Sequence, residues 1–176
     1  MSTSYLEAVN QRVVIFDGAM GTGIQARGLT ADDFGSENLE GCNELLVVTR
    51  PEIIAELHAA YYEVGVDVVE TNTFGAFGVP LGEYGIPERA YELNLAAAQV
   101  AKQVATDFST PDRPRWVSGS IGPGTKSPSL GQIGFVELRD QYEVQARGLL
   151  DGGSDLFIIE TQFDLLCLKA AMIACR

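Results

Sequence analysis

The sequence predicts an α/β fold built from parallel strand–helix units, and three observations support this class. Apolar runs that end in polar or glycine residues recur at about the spacing of successive units, at residues 13–17, 66–73, 116–123 and 156–161. Residues 65–71 and 153–161 repeat one another, and each segment follows a helix-like stretch closed by glycine. Strands that alternate with helices pair in parallel through right-handed crossovers. An open doubly wound sheet and a (βα)8 barrel both satisfy this pattern.

The composition limits the classes of function that the chain can serve. Its 176 residues, 46% of them apolar, suit one domain with a substantial core. The net charge of −12 disfavours binding to nucleic acid or to an anionic membrane surface. Residues 1–12 lack a cationic segment followed by a long apolar run, and no later stretch approaches the ~20 apolar residues that span a bilayer. We therefore expect a soluble, cytoplasmic protein without a nucleic-acid or membrane partner.

The cysteines indicate a reducing compartment and no metal site. Cys42, Cys167 and Cys175 are odd in number and lack both C-x-x-C spacing and the pattern of a disulfide framework. His58 lies in a helical stretch without a histidine or cysteine at metal-ligand spacing, which is typical of a packed histidine. We therefore assign no metal ligand in this chain.

The first third of the chain predicts a short helix, a strand and a long irregular segment. Ser4 and Glu7 form a capping-box pattern, and residues 13–16 are typical of a buried strand. The glycine-rich residues 18–28 predict a turn into a loop. Residues 29–48 have no clear periodicity, so we expect a long loop over the strand ends.

Apolar residues at helical spacing predict the later helices. Thr49 and Glu52 repeat the capping box, Pro51 fits a first helical turn, and Gly65 ends that helix. Further helices are expected from Pro87, over residues 135–149 and from Asp164, with a turn at 110–114 and strands at 67–71, 116–121 and 156–159.

Two glycine-rich segments could be taken for phosphate-binding loops. Gly18, Gly21 and Gly23 follow the first strand, but their spacing does not match G-x-G-x-x-G. Asp17 stands where a pyrophosphate would need backbone donors. Residues 122–124 are more typical of a plain tight turn. The sequence therefore disfavours a nucleotide site.

Four segments in a fixed order, residues 17–22, 70–74, 119–123 and 158–161, resemble the homocysteine S-methyltransferase family. The loop at residues 33–46 is most similar to its cobalamin-dependent branch. The resemblance runs from about Val13 to the end. It implies a TIM (βα)8 barrel of which residues 1–176 form the N-terminal half, about four βα units.

The resemblance also implies a methyltransferase that transfers a methyl group to the homocysteine thiol to give methionine. Zinc and methylcobalamin serve the full-length family, with methyltetrahydrofolate and cobalamin carried by further domains. The family's zinc ligands are a cysteine after strand six and a Gly-Gly-Cys-Cys segment after strand eight, and neither motif occurs in this sequence. We therefore expect this chain alone to bind neither cofactor, to be inactive, and to self-associate through its open sheet edges.

Homocysteine offers an ammonium, a carboxylate and a thiol, and the predicted site matches the first two. Asp17 and Glu160 follow strands and can accept hydrogen bonds from the ammonium, although both could instead be structural carboxylates. The turn at Gly18, Ala19 and Met20 can direct backbone N–H groups at the carboxylate. The predicted substrate-binding residues are Asp17, Gly18, Ala19, Met20, Asn72, Thr73, Phe74 and Glu160, with no catalytic residue.

Alternatives remain for one of these neighbours and for the function. Glu70 matches Glu160 in the repeat, but the resemblance favours loop organisation over substrate contact for Glu70. A cobalamin-independent homocysteine S-methyltransferase is a second possible function, against which the long loop at residues 29–48 argues. A third is a non-catalytic half-barrel that pairs with itself.

Overall fold

The computed structural model describes residues 4–176, which form a parallel three-stranded sheet with helices packed on it. The strands lie side by side in chain order, with Val68 opposite Trp116 and Ser118 opposite Leu156. The prediction of an α/β fold with a parallel sheet is therefore confirmed. The strands are β1 (Val68–Glu70), β2 (Trp116–Ile121) and β3 (Leu156–Ile159).

Most of the connections between the strands are helical. Short 3-10 turns lie at Glu37–Leu39, Asn43–Leu45, Pro87–Arg89 and Pro128–Leu130. The α-helices are α1 (Tyr5–Gln11), α2 (Met20–Gln25), α3 (Ala31–Phe34), α4 (Leu46–Thr49), α5 (Pro51–Val64), α6 (Gly78–Glu83), α7 (Ala90–Phe108), α8 (Phe135–Asp151) and α9 (Leu165–Ala174). Within the described residues, no helix is both long enough and apolar enough to cross a bilayer.

One face of the sheet carries the long helices. Val69 and Val117 pack with residues of α5 and α7, whereas Phe157 and Ile159 pack with residues of α8 and α9. Because side chains alternate along a strand, Glu70, Ser118 and Ser120 point to the opposite face. Only the amino-terminal end of that face is covered by α1, in a cluster with Val68, Trp116 and Leu156. The carboxyl-terminal end is left for polar side chains.

The helix boundaries show which sequence signals were sufficient. Ser4 and Glu7 form the predicted capping box of α1. Gly65 ends α5 with a φ of 107°, a left-handed conformation that glycine adopts without steric cost. Asp164 caps α9 by accepting a hydrogen bond from Leu166 N at 2.8 Å. The bounds of β2 and β3 are those predicted.

The prediction of a buried first strand at residues 13–16 is wrong. Val13 is 81% exposed and Ile15 is 55% exposed, and only Phe16 forms an isolated parallel bridge, to Val68. The segment lies at the edge of the sheet, where Ile15 O accepts from both Asp67 N and Val68 N. Within residues 4–176, no further strand covers its outer side, so Val13 and Ile15 remain in solvent, whereas Val14 and Phe16 pack in the cluster with α1.

The predictions of a turn at residues 18–28 and of a loop at 29–48 are also wrong in part. The first segment contains α2, and the second contains α3, α4 and two 3-10 turns. Their buried side chains, including Ile24, Phe34 and Leu45, pack in one cluster with residues of α7. Elements of one turn are too short to show a helical period, so the pattern did not reveal them.

Two smaller predictions need correction as well. Thr49 is the last residue of α4 and donates to Leu45 O at 3.3 Å, so it does not cap α5, whose preceding residue is Arg50. Pro87 begins a 3-10 turn, and α7 starts at Ala90. The helix α6 was not predicted, because its sequence GVPLGE is rich in poor helix formers.

Candidate functional site

A cavity of about 430 Å³ opens at the carboxyl-terminal ends of the strands. Ligands of α/β proteins bind at this end of the sheet, because side chains and backbone groups of successive strands converge there. All eight residues predicted from the sequence line this cavity, although their contact with a substrate stays a prediction. The lining residues are Asp17, Gly18, Ala19, Met20, Gly21, Asn43, Glu44, Glu70, Thr71, Asn72, Thr73, Phe74, Ser120 and Glu160.

Asp17 stands at the cavity floor beside β1. Its Oδ1 and Oδ2 atoms accept hydrogen bonds from Glu70 N at 3.1 and 3.0 Å. Burial, with a smaller contribution from the charge of Glu160, raises the pKa of Asp17 to about 7 against the opposing effect of these bonds. A neighbouring cation would stabilise the ionised form of a carboxyl group whose pKa is raised in this way.

Glu160 follows β3 directly and faces the same cavity. Its Oε1 atom accepts a hydrogen bond from Ser120 Oγ at 2.6 Å, which fixes the carboxylate over the end of β2. The next residue, Thr161, has a φ of 55° and is the one non-glycine residue with positive φ in the described chain. Backbone strain of this kind concentrates at functional sites, where the surrounding structure holds it.

Glu70 is the third carboxylate of this group, and its neighbourhood differs from what the sequence suggested. Burial, the charges of Glu160 and Asp17, and a hydrogen bond with Glu160 raise the pKa of Glu70 to about 7. Glu70 therefore shares the cavity with Asp17 and Glu160, while its role in loop organisation stays a prediction. Like charges in one partly buried site repel, so a bound cation would stabilise all three.

The turn at Gly18, Ala19 and Met20 presents backbone donors to the cavity. Within residues 4–176, no protein acceptor takes the N–H of any of these residues. Tyr61 of α5 holds the turn by donating from its hydroxyl to Ala19 O at 3.3 Å. A Cβ on Gly18 would lie 3.1 Å from Tyr61 Oη, so the close approach favours glycine there. The free N–H groups suit an anionic ligand.

Asn72, Thr73 and Phe74 form the wall between β1 and α6. The Asn72 amide donates to Asn43 O at 2.7 Å, and the Thr73 hydroxyl donates to Ser120 O at 2.8 Å. These polar groups are thus engaged with the protein, whereas Phe74 is 42% exposed. The wall offers an apolar surface to a ligand.

The sequence interpretation missed several lining residues. Glu44 and Asn43 come from the segment that was expected to be a loop, and Ser120 lies inside β2. Glu44 and Asn43 belong to a motif that carried the family resemblance, which was the available signal for them. The expectation that residues 29–48 lie over the strand ends agrees with this position, but nothing in the pattern singled out Asn43 and Glu44 as lining residues.

The cysteines do not fit a zinc site. Cys42 is buried in the cluster beside α7, whereas Cys167 is buried on α9 in a different cluster. Burial raises the pKa of Cys42 and of Cys175 to about 11, which opposes the thiolate form that zinc requires. Across residues 4–176, no group of three or more His, Cys, Asp or Glu side chains is arranged to hold a metal ion.

His58 is fully buried in α5, and burial lowers its pKa to about 4. It therefore packs as a neutral side chain and is not among the residues that line the cavity.

Comparisons with known proteins show the family to which the chain belongs. The sequence profile of the homocysteine S-methyltransferase family matches residues 14–176, and the chain belongs to that family. It is 48% identical over 174 residues to proteins named methionine synthase from Mycobacterium tuberculosis (strain ATCC 25618 / H37Rv) and Mycobacterium leprae (strain TN). Each match covers 99% of this chain and 14% of the relative, so the chain spans about a seventh of their length.

A solved structure shares the fold. The metallated form of the homocysteine methyltransferase MmuM from Escherichia coli superposes with a TM-score of 0.76 at 22% identity. The match covers 94% of this chain and 60% of that protein. The oxidized form of the same protein gives the same TM-score of 0.76.

Proposed function

We propose that residues 1–176 form the N-terminal half of a TIM (βα)8 barrel and the homocysteine-binding part of a methionine synthase. The chain order of the strands, the helices on one face of the sheet and the 48% identity to methionine synthases support this assignment. Methyl transfer to the homocysteine thiol would belong to the longer protein. This part contributes the grip on the amino acid, and we expect no methyl transfer by the chain alone.

The observation that carries the proposal is that one cavity contains both carboxylates, which attract a cation, and unpaired backbone N–H groups, which attract an anion. Asp17 and Glu160 offer carboxylates on one side, and the N–H groups of Gly18, Ala19 and Met20 stand unpaired in the same cavity. An α-amino acid carries both an ammonium, which the carboxylates would accept, and a carboxylate, which the N–H groups would bind. Phe74 would then pack against the methylene groups of the ligand.

The family resemblance also implies zinc, methylcobalamin and methyltetrahydrofolate in the longer protein. The cysteines of this chain do not fit a zinc site, so residues 4–176 would bind and orient the amino acid without activating its thiol. Activation matters because a free thiol, with a pKa of about 8.5, is mostly protonated at neutral pH.

The two open edges of the sheet are the proposed surfaces of self-association. Val13 and Ile15 are exposed at one edge, and Phe163 and Leu165 are exposed after β3 at the other. Unpaired sheet edges with apolar side chains pair readily with another chain. In the longer protein, the second half of the barrel would cover the same surfaces.

Calorimetric titration of the chain with three ligands tests the proposed function. Homocysteine and homoserine should bind with similar affinity, because both carry the ammonium and the carboxylate. N-acetylhomocysteine should bind at least ~10-fold more weakly, because it lacks the ammonium and its charge-assisted hydrogen bonds. Equal affinity for the acetylated ligand, or no binding of homocysteine, would contradict the proposal.

A further inference from the structure

Thr73 and Phe74, hereafter the Thr73–Phe74 wall, are flanked by contacts from Asn43 and Glu44 in the 3-10 turn Asn43–Leu45. Asn43 O accepts a hydrogen bond from the Asn72 amide at 2.7 Å, and Glu44 Oε1 accepts one from Gly75 N at 2.8 Å. The two bonds therefore bracket Thr73 and Phe74 on both sides in sequence.

The other side of the wall is anchored to the sheet and to α8. Thr73 O accepts from Gln145 Nε2 at 2.7 Å, and Phe74 O accepts from Gly122 N at 3.0 Å. These contacts fix the backbone from the interior. The position of the Phe74 side chain over the cavity also depends on where the chain turns at Gly75, and Glu44 holds that turn.

Glu44 is well placed to act as a rigid support. Leu45 and Leu46 follow it directly and are buried in the cluster with Leu93 and Ala97 of α7. Burial raises the pKa of the Glu44 carboxyl, so its placement carries an energetic cost. Glu44 is half-buried at the cavity, forms no salt bridge in the described chain, and accepts a hydrogen bond from the backbone N–H of Gly75. A carboxyl group with a perturbed pKa in a cleft is a candidate for a functional role.

We propose that Glu44 is a positioning residue, whose bond to Gly75 N–H fixes the Thr73–Phe74 wall and thereby the affinity of the site for its amino acid. The inference rests on the proposed function only for the identity of that ligand. The positioning itself concerns residues of this chain alone.

The test compares Glu44→Ala with Glu44→Gln in the full chain. Glutamine keeps an oxygen acceptor at the same place, whereas alanine removes it. Hydrogen exchange of the Gly75 amide, followed by NMR, should be at least ~10-fold faster in Glu44→Ala and within about 3-fold of wild type in Glu44→Gln. Glu37→Ala, an exposed acid of the same segment, is the matched control and should leave the exchange unchanged.

Homocysteine affinity provides the second readout. It should fall ~10-fold in Glu44→Ala and be largely restored in Glu44→Gln, because the acceptor and not the charge does the positioning. A Cβ on Gly75 would lie 2.8 Å from Glu44 Oε1, so Gly75→Ala should disturb the same bond. If Glu44→Ala and Gly75→Ala act through this one bond, the double variant should bind homocysteine no more weakly than the single variant with the lower affinity.

Each outcome decides one claim. Gly75 exchange and homocysteine affinity that both stay at wild-type values in Glu44→Ala would overturn the positioning role, as would additive losses in the double variant. A third outcome combines faster Gly75 exchange in Glu44→Ala with a wild-type chain that does not bind homocysteine. This outcome would support the positioning of the wall and count against the proposed function.

Discussion

The charge of Glu160 is the most direct handle on the proposed amino-acid site. Glu160→Gln keeps the size of the side chain and an oxygen that can accept from Ser120 Oγ, so the local geometry should persist. It removes the negative charge that would face the ammonium of homocysteine. A charge-assisted hydrogen bond contributes ~1.5–3 kcal/mol, which corresponds to roughly 10- to 150-fold in the dissociation constant.

The neighbouring carboxylates set where in that range the effect should fall. The charge of Glu160 raises the pKa of both Asp17 and Glu70. Without it, both groups ionise more fully and take over part of the attraction for the ammonium. We therefore expect the lower half of the range, about 1.5–2 kcal/mol.

Calorimetric titration with homocysteine at neutral pH measures the loss, and thermal unfolding separates it from damage to the fold. Because removing one of three clustered negative charges relieves repulsion, the melting temperature of Glu160→Gln should equal or exceed that of wild type. Glu63→Gln, an exposed acid of α5, is the control and should change neither quantity. Unchanged affinity in Glu160→Gln would mean that Glu160 is only structural, and the reasoning would be refuted.

Three further predictions follow from the same structure. The purified chain should hold far less than one equivalent of zinc, because its cysteines do not fit a ligand set, and elemental analysis that finds stoichiometric, chelator-resistant zinc would contradict this. The pKa of Asp17 is raised to about 7 in the folded chain, whereas an aspartate side chain in the unfolded chain ionises near pH ~4. The free energy of unfolding should therefore fall as pH rises between these values. Chemical denaturation across this range should show the fall, and Asp17→Asn should reduce its slope, with Glu70, whose pKa is also raised to about 7, supplying part of the remainder; equal slopes in both proteins would exclude Asp17 as a cause. Light scattering should find a dimer or larger assembly, and the chain supplied with homocysteine, zinc and methylcobalamin should form no methionine; a stable monomer with thiol methylation would overturn the half-barrel assignment.

The parts of the fold that could be predicted from the sequence are those with a long period or a clear end. The helices α5 and α8 show sustained apolar spacing, and Gly65 marks the end of the first of them. The strands β2 and β3 are short apolar runs of the expected length. These signals are local, so they do not depend on the rest of the structure.

The parts that were missed depend on contacts between distant segments. The edge segment at residues 13–16 has the composition of a buried strand, but its burial requires a neighbour that residues 4–176 do not supply. The helix α6 is formed by a sequence of low helix propensity, which tertiary packing overrides.

The candidate site shows the same division. The strand-end residues Asp17 and Glu160 could be placed from the family motifs, because those motifs follow predicted strands. The role of Glu70 in the carboxylate group and the contact of Glu44 with Gly75 could not, since each depends on distances across the fold. The raised pKa values arise from burial and from mutual repulsion, which exist only after the segments meet.

The central claim is that homocysteine binds between the turn at residues 18–20 and the carboxylate of Glu160, which follows β3. Amide chemical shifts of the isotopically labelled chain, recorded as homocysteine is added, test it most directly. The account predicts saturable shifts at Gly18, Ala19, Met20 and Glu160, with little change at the cavity near the amino-terminal ends of β2 and β3, which Lys102 and Arg115 line. Shifts confined to that opposite cavity, or no saturable shift at the turn, would contradict the account.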